Sequence, residues 1–380
     1  MNKKKSILFM VPHLGGGGAE KVLVTLINSL DIDKYDIGLV VSGLNHARCK
    51  EIKRPVYYYS IGQPNNLFFG KKSSLWQHGF PMCFESSFVK EAFNLYEYDV
   101  NFLVMDCLFV KILPQRDNDK ISIFRITSDY LARPLSTWVL TEIDAYLKMH
   151  TDCYKSVDYF VAGSQQAADS FVAVTGVTEN VSIINNMFDV PHIKSSSEEE
   201  IDIQKTRFTI GSVGNFRPVK GHMRLLEACH RLNCDGFSFD LWLIGAGSEE
   251  MALKAKTEEY GMDNVKFLGY QDNPYKFMRH FDLYVNPAFT EGFPNAPCEA
   301  VILGIPCVVA DHCGEREIFG NSEYGLITAN SEEGLYDGIK KMLSDKEIYD
   351  FYKDATVKRQ SFFDIEHVLE QYEQLFEKSK

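Results

Sequence analysis

The sequence predicts an α/β protein of two doubly wound domains facing a cleft. Three observations carry that prediction. The chain has 380 residues, more than a single hydrophobic core usually organises. Short apolar runs of the buried parallel type alternate with segments of helical period in both halves. A polar, charged stretch at 194–202, KSSSEEEID, separates the halves and reads as a linker. The domains are therefore placed at 1–195 and 196–360, with 361–380 as a C-terminal helix crossing back to the first. Such sheets bind ligands outside the carboxyl ends of their strands, here at the cleft.

The elements follow in order. Ser6–Val11 is a fully apolar strand that runs into Pro12-His13-Leu14 and four glycines, Gly15 to Gly18. A helix from about Ala19 then places Val22, Leu23, Leu26, Ile27 and Leu30 on one face. Ile37–Val41 completes a β-α-β opening. Further strands are expected at Val56–Ile61, Phe102–Met105, Ile121–Ile126, Tyr159–Ala162 and Val181–Ile184, with a helix near 136–150 and an N-cap at Ser164. In the second half, strands are expected at 208–213, 239–244, 265–268, 282–286, 306–310 and 325–328. Helices fall at about 221–232, 248–260, 273–280 and 295–303, and the chain beyond 331 reads as helical.

Composition narrows the function classes. The net charge of −12 argues against general nucleic-acid binding. Residues 1–200 hold 20 Lys+Arg against 23 Asp+Glu, so most of the negative charge lies in the second half. No run reaches the ~18–20 apolar residues of a membrane-crossing helix, and the N-terminus reads as a first strand rather than a leader. Nine cysteines without a C-x-x-C pair suit free thiols in a cytoplasmic protein. Lys71 and Lys72, with Phe68, Phe69, Trp76, Phe80 and Phe84 around them, suit either a solvated insertion or a contact with the inner membrane surface.

Three motifs carry chemistry. The glycine turn after the first strand brings backbone close to a phosphate or sugar, though a ligand-free tight turn explains it equally. It fails the dinucleotide fingerprint, because Lys21 stands where the third glycine belongs. In SVGNFRPVKGH (212–222), Arg217 and Lys220 sit in a loop between a strand and a helix, a setting that suits a diphosphate or merely two solvated cations. The third motif runs from Glu291 through Gly292-Phe293-Pro294-Asn295 to Glu299. Two carboxylates flank a strand-to-helix turn whose free N–H groups face an anion, and carboxylates hold hydroxyls well. Metalloprotease, nucleophile-elbow and Walker motifs are missing from the sequence, and the ten histidines do not cluster, so no metal site is expected.

These stretches resemble the retaining glycosyltransferases of family 4, whose GT-B fold has two Rossmann-like domains. The residues carrying the resemblance are VPHLGGGGAEKV (11–22), VGNFRPVKG (213–221), LIGAG (243–247), FLGYQDN (267–273), NPAFTEGFPNAPCEAVILGIPCVVAD (286–311) and GEREI (314–318), with IINNMFD (183–189) as a weaker match. The resemblance implies that Glu291 holds donor-sugar hydroxyls near the anomeric carbon and Glu299 the ribose. Lys220 and Arg217 would hold the diphosphate. Gly214, Asn215, Gly292, Phe293, Pro294 and Asn295 would line the donor pocket, with Pro294 only shaping the turn. Gly17 and Gly18 would approach donor and acceptor from the other domain. The chain departs from the family at Asn215, where an Arg is usual, and at Thr127, which with Asp129 stands on the acceptor side where many relatives have a His.

The implied reaction moves a hexose or N-acetylhexosamine from a nucleotide-diphosphate sugar, UDP-linked in most relatives, to a glycan or lipid-linked acceptor in cell-surface polysaccharide synthesis. Front-face attack, with the departing phosphate oxygen taking the acceptor proton, needs neither protein nucleophile nor metal cofactor. Two alternatives stay open: a non-catalytic glycosyltransferase-like partner subunit, motivated by Asn215 and Thr127, and a GT-B sugar epimerase or phosphorylase.

Overall fold

The computed structural model describes residues 3–41, 47–60, 98–104, 120–131, 154–155 and 157–378. The helix expected near 136–150 and the aromatic, basic region 68–84 lie outside the described residues. The chain forms two compact units, Met1–Met187 with Glu366–Lys380, and Phe188–Ile365.

The first unit is built on strands β1 (Lys5–Met10), β2 (Tyr35–Val41), β3 (Tyr57–Ser60), β4 (Val100–Val104), β5 (Ile121–Ile126), β6 (Tyr159–Ala162) and β7 (Val181–Ile183). They form one parallel sheet in the order β3-β2-β1-β4-β5-β6-β7. Ile7, Leu8, Phe9 and Met10 are fully buried, as a strand covered on both faces requires. Helix α1 (Gly18–Ser29) follows β1 and buries Val22, Leu23, Leu26 and Ile27. Helix α2 (Gln165–Thr175) starts at Ser164, whose side chain accepts from the Ala167 N–H, and ends at Gly176 in the left-handed conformation.

The second unit opens with helix α3 (Val190–Ser197) and strand β8 (Thr209–Val213). Helix α4 (His222–Cys234), β9 (Asp240–Ile244), α5 (Glu250–Glu259) and β10 (Val265–Gly269) follow. Then come α6 (Tyr275–Met278), β11 (Leu283–Asn286), α7 (Asn295–Ile302) and β12 (Cys307–Ala310). The short helix α8 (Glu315–Phe319), β13 (Leu326–Thr328), α9 (Glu332–Ser344) and α10 (Lys346–Arg359) complete it. Its parallel sheet has the order β10-β9-β8-β11-β12-β13. Both sheets reverse their strand order beside the first strand, between β1 and β4 and between β8 and β11.

The unit boundaries differ from the sequence-based placement at both ends. Residues 194–197 are the last turn of α3 rather than linker. Asp189 caps that helix through the His192 N–H, Ile193 is buried, and Asn273 and Arg279 hold the Ser196 and Ser197 carbonyls. These contacts dock α3 on the second unit, so the division falls at Met187/Phe188. At the other end Phe363 packs edge-on against Phe188 at 5.4 Å, which keeps the turn Gln360–Phe363 in the second unit. The last helix, α11 (Ile365–Phe376), then joins the first unit almost whole. Its buried face is Val368, Tyr372, Leu375 and Phe376, at helical spacing. Phe376 and Tyr372 pack edge-on against Phe102 at 6.1 and 5.9 Å.

Candidate functional site

The second sheet's reversal point positions two loops side by side. β8 and β11 are neighbours, pairing Ile210 with Leu283 and Gly211 with Tyr284. The chain leaves β8 through Gly214 to Arg217, makes a 3₁₀ turn at Pro218–Lys220, and enters α4. It leaves β11 through 287–294 and enters α7.

Close backbone contact brings the loops together. Gly221 has φ +67°, and a Cβ there would lie 1.9 Å from the Pro287 carbonyl oxygen. Only glycine permits that approach in that conformation. The Phe289 N–H donates to the Val219 carbonyl at 2.8 Å. Buried Arg224, one turn into α4, fixes the far side. Its Nε donates to Pro287 O at 2.7 Å and its Nη2 to Ala288 O at 2.6 Å. Nη1 donates to Asn330 Oδ1 at 2.7 Å, and Asn330 in turn donates to Phe289 O at 2.9 Å. Burial lowers the Arg224 guanidinium to about 10, so it stays charged at neutral pH.

That scaffold places the ammonium of Lys220 against the Glu291 carboxylate as an ion pair. Lys220 and Glu291 are both partly exposed, at 27% and 19% of their side-chain surface. Arg217 and Asn215 lie exposed on the same loop. Half-buried Gly214 donates its N–H to Ile244 O at 3.0 Å. Gly292, Phe293 and Pro294 are buried, and Asn295 begins α7 half-buried. Glu299 is 5% exposed on the inner face of α7 and accepts from the Tyr275 hydroxyl at 3.1 Å. The two motifs of the second half therefore meet: one cation touches one carboxylate, with a second cation and a second carboxylate close in sequence to each.

In the first unit, Gly17 precedes α1 and Gly18 opens it. The turn is filled by Glu20, since a Cβ at Gly17 would lie 2.2 Å from Glu20 Oε2. Glu20 is buried and lies 3.0 Å from His13 Nδ1. Burial pushes its carboxyl up, but hydrogen bonds from His13 and its own backbone and the nearby His13 and Arg48 charges outweigh this and hold it low. Thr127 follows β5 half-buried, and Asp129 accepts from the Leu131 N–H at 2.9 Å in a local turn. Among the described residues no group of three His, Cys, Asp or Glu side chains is arranged to hold a metal ion.

Sequence reasoning missed Gly221 and Arg224 as site builders. The turn after Lys220 signalled the glycine, but Arg224 reads as a surface residue of a helix until the Pro287–Phe289 backbone is seen against it.

Comparison with known proteins adds function to this geometry. Residues 194–359 match the family model "Glycosyl transferases group 1". The chain is 25% identical over 362 residues to a Campylobacter jejuni enzyme, an N-acetylgalactosamine-N,N'-diacetylbacillosaminyl-diphospho-undecaprenol 4-alpha-N-acetylgalactosaminyltransferase, covering 92% of this chain and 93% of that one. It is 22% identical over 222 residues to the capsular polysaccharide biosynthesis glycosyltransferase CapM of Staphylococcus aureus, covering 58% and 56%. Among solved structures, Anabaena HepE in complex with UDP and glucose superposes with a TM-score of 0.74 at 19% identity, over 97% of this chain and 98% of HepE. A Thermosynechococcus elongatus sucrose-phosphate synthase gives 0.76 at 16% identity, over 98% of each chain. The solved structures share the fold, the family model matches the second unit, and the relatives are glycosyltransferases, which together support a GT-B glycosyltransferase of the family 4 kind.

Proposed function

We propose that the chain is a retaining enzyme that moves a hexose or N-acetylhexosamine from a UDP-linked donor to a glycan or lipid-linked acceptor in cell-surface polysaccharide synthesis. The observation that carries this is the meeting of Lys220 and Glu291 at the β8–β11 reversal point. Ligands of doubly wound sheets bind at such points. The UDP bound by HepE and the diphospho-undecaprenol substrate named for the Campylobacter relative favour the donor and acceptor classes.

The residues divide the work by charge. Departure of a nucleoside diphosphate leaves negative charge on its oxygens and an oxocarbenium-like sugar. Lys220 and Arg217 stabilise the leaving diphosphate, in a role where one lost donor costs ~3–4 kcal/mol of transition-state stabilisation. Glu291 accepts from sugar hydroxyls beside the developing positive charge, and the turn 292–295 lines the pocket. Glu299 accepts from the ribose, and Gly214 and Asn215 border the diphosphate. Gly17 and Gly18 admit sugar or acceptor close to the backbone, with Thr127 and Asp129 on the acceptor side. The acceptor hydroxyl attacks from the leaving-group face and its proton passes to the departing phosphate oxygen.

This reading assigns charge neutralisation to side chains, so transfer is expected to persist in EDTA. Loss of transfer that Mg²⁺ or Mn²⁺ restores would contradict that part. No described helix is long and apolar enough to cross a membrane, and a lipid-linked acceptor places the enzyme peripherally at the cytoplasmic membrane face. Sedimentation with anionic liposomes tests this, and absence of binding counts against it. The direct test of function is transfer from UDP-sugars to polyprenyl-diphosphate glycans. Glu291→Ala and Lys220→Ala are expected to lose it by at least about a hundredfold with melting unchanged, and wild-type rates from both would overturn the proposal.

A further inference from the structure

β11 ends at Asn286, which is 5% exposed and begins the Glu291 turn. Its Nδ2 donates to Glu315 Oε1 at 2.6 Å and lies 3.2 Å from His312 Nε2. His312 and Glu315 flank the turn from β12 into α8, with Nε2 and Oε1 3.3 Å apart. His312 Nδ1 lies 3.0 Å from the Cys313 carbonyl, which only accepts, so the ring proton sits on Nδ1 and Nε2 accepts from Asn286. Glu315 is 0% exposed, and its Oε2 has no hydrogen-bond partner among the described residues. An ionised carboxylate there would be a buried charge without a cation, which is costly, whereas a protonated one is a neutral hydrogen-bonding group.

The network touches the Glu291 turn at both ends. At its start, Asn286 Oδ1 accepts from the Ala288 N–H at 3.4 Å. At its close, Gly314 sits so near that a Cβ would lie 2.8 Å from Pro294 Cδ, 2.9 Å from Phe293 Cα and 3.2 Å from Gly292 O.

We infer that Asn286, His312 and Glu315 are positioning residues that hold the Glu291 turn in register for the donor sugar, an inference that rests on the role proposed above for Glu291. Burial, reinforced by the charges of Glu291, Asp311 and Glu317 and opposed by the Asn286 hydrogen bond, pushes the Glu315 carboxyl well up. Burial holds the His312 ring low against the Glu291 charge and the hydrogen bond to the Cys313 carbonyl, and Lys220 and Arg224 add to the lowering. Both shifts favour the neutral form of the group. A neutral amide at 315 reproduces the acceptor that Asn286 needs, and an apolar side chain of similar volume does not.

The test compares Glu315→Gln with Glu315→Leu in steady-state sugar transfer, with melting measured alongside. For Glu315→Gln, kcat and both KM values stay within about twofold of wild type. For Glu315→Leu, kcat falls about tenfold or more and the donor KM rises, because a misplaced turn moves Glu291 off its geometry, while the acceptor KM holds. Should Glu315→Leu not fold, Asn286→Ser removes the amide from the other end and carries the same expectation. A tenfold loss in Glu315→Gln, or wild-type kcat in the folded Glu315→Leu or Asn286→Ser variant, overturns the inference. Glu291→Ala in the same assay separates the two claims. If it retains transfer, the role of Glu291 fails. If it loses transfer while Glu315→Leu or Asn286→Ser does not, only the positioning role fails.

Discussion

At the residue scale, Lys220 and Glu291 satisfy each other. A donor that takes diphosphate to one and sugar to the other must part them, and its phosphates must meet Lys220 beside a carboxylate. Glu291→Gln is therefore expected to bind UDP alone more tightly, by up to about fivefold, the ~1 kcal/mol ceiling for a partly exposed pair. The same variant loses sugar transfer. Isothermal titration reads the first effect, and unchanged or weaker UDP binding would contradict the pairing argument.

Glu315 makes a second residue-scale prediction, in stability. Its carboxyl is raised in the folded chain, and the acidic groups Glu291, Asp311 and Glu317 and the buried Tyr284, Cys298 and Cys307 share its surroundings, with no Lys or Arg side chain paired to Glu315 itself among the described residues. A raised carboxyl contributes stability that is complete below its unfolded value of ~4.3 and is lost as pH rises through the folded value. Glu315→Gln removes that loss. Its melting temperature should rise relative to wild type as pH increases above about 5, and a constant difference across that range would show that Glu315 is ionised in the fold.

At the element scale, Gly221 joins the two site loops. Gly221→Ala meets both the left-handed conformation and the Pro287 carbonyl, so it is expected to cost ~2 kcal/mol or more and to lower transfer. A melting curve within one degree of wild type would show that the loops do not depend on this contact. The elements themselves were largely legible. Strands such as Ile121–Ile126 and Tyr159–Ala162 coincide with their expected bounds because an uninterrupted apolar run has one use in a doubly wound sheet. Helix α3 was not, because its exposed face is polar and its anchors, Asn273 and Arg279, lie more than seventy residues away. The site divides the same way. Glu291 stood out because a carboxylate at a strand-to-helix turn suits a ligand's hydroxyls, whereas Lys220 read equally as a solvated cation until the family resemblance singled it out. Glu315 read as one charge among several in GEREI, since only the fold shows that it is buried.

At the scale of the whole molecule, the chain's last helix completes its first unit. Phe376 is fully buried against Phe102 and Tyr35. Tyr372 reaches buried Arg125 on β5 through its hydroxyl, and Arg125 also donates to Asn186 at 2.5 Å. Burial lowers that guanidinium to about 10, so it remains a cation held by neutral partners. Phe376→Ala is expected to destabilise the first unit by ~3–5 kcal/mol, seen as an earlier unfolding transition, and an unchanged transition would mean that the helix only decorates the sheet.

The central claim is that the β8–β11 reversal point holds a nucleotide-diphosphate sugar through Lys220. A thermal-shift titration of wild type and Lys220→Ala with UDP, GDP and their sugars tests it without knowledge of the acceptor. The account predicts that a UDP-sugar at a hundred times its Kd stabilises wild type by ~2.7 kcal/mol, and that the same concentration stabilises Lys220→Ala far less. Equal stabilisation of both proteins, or of neither by any nucleotide sugar, would contradict it.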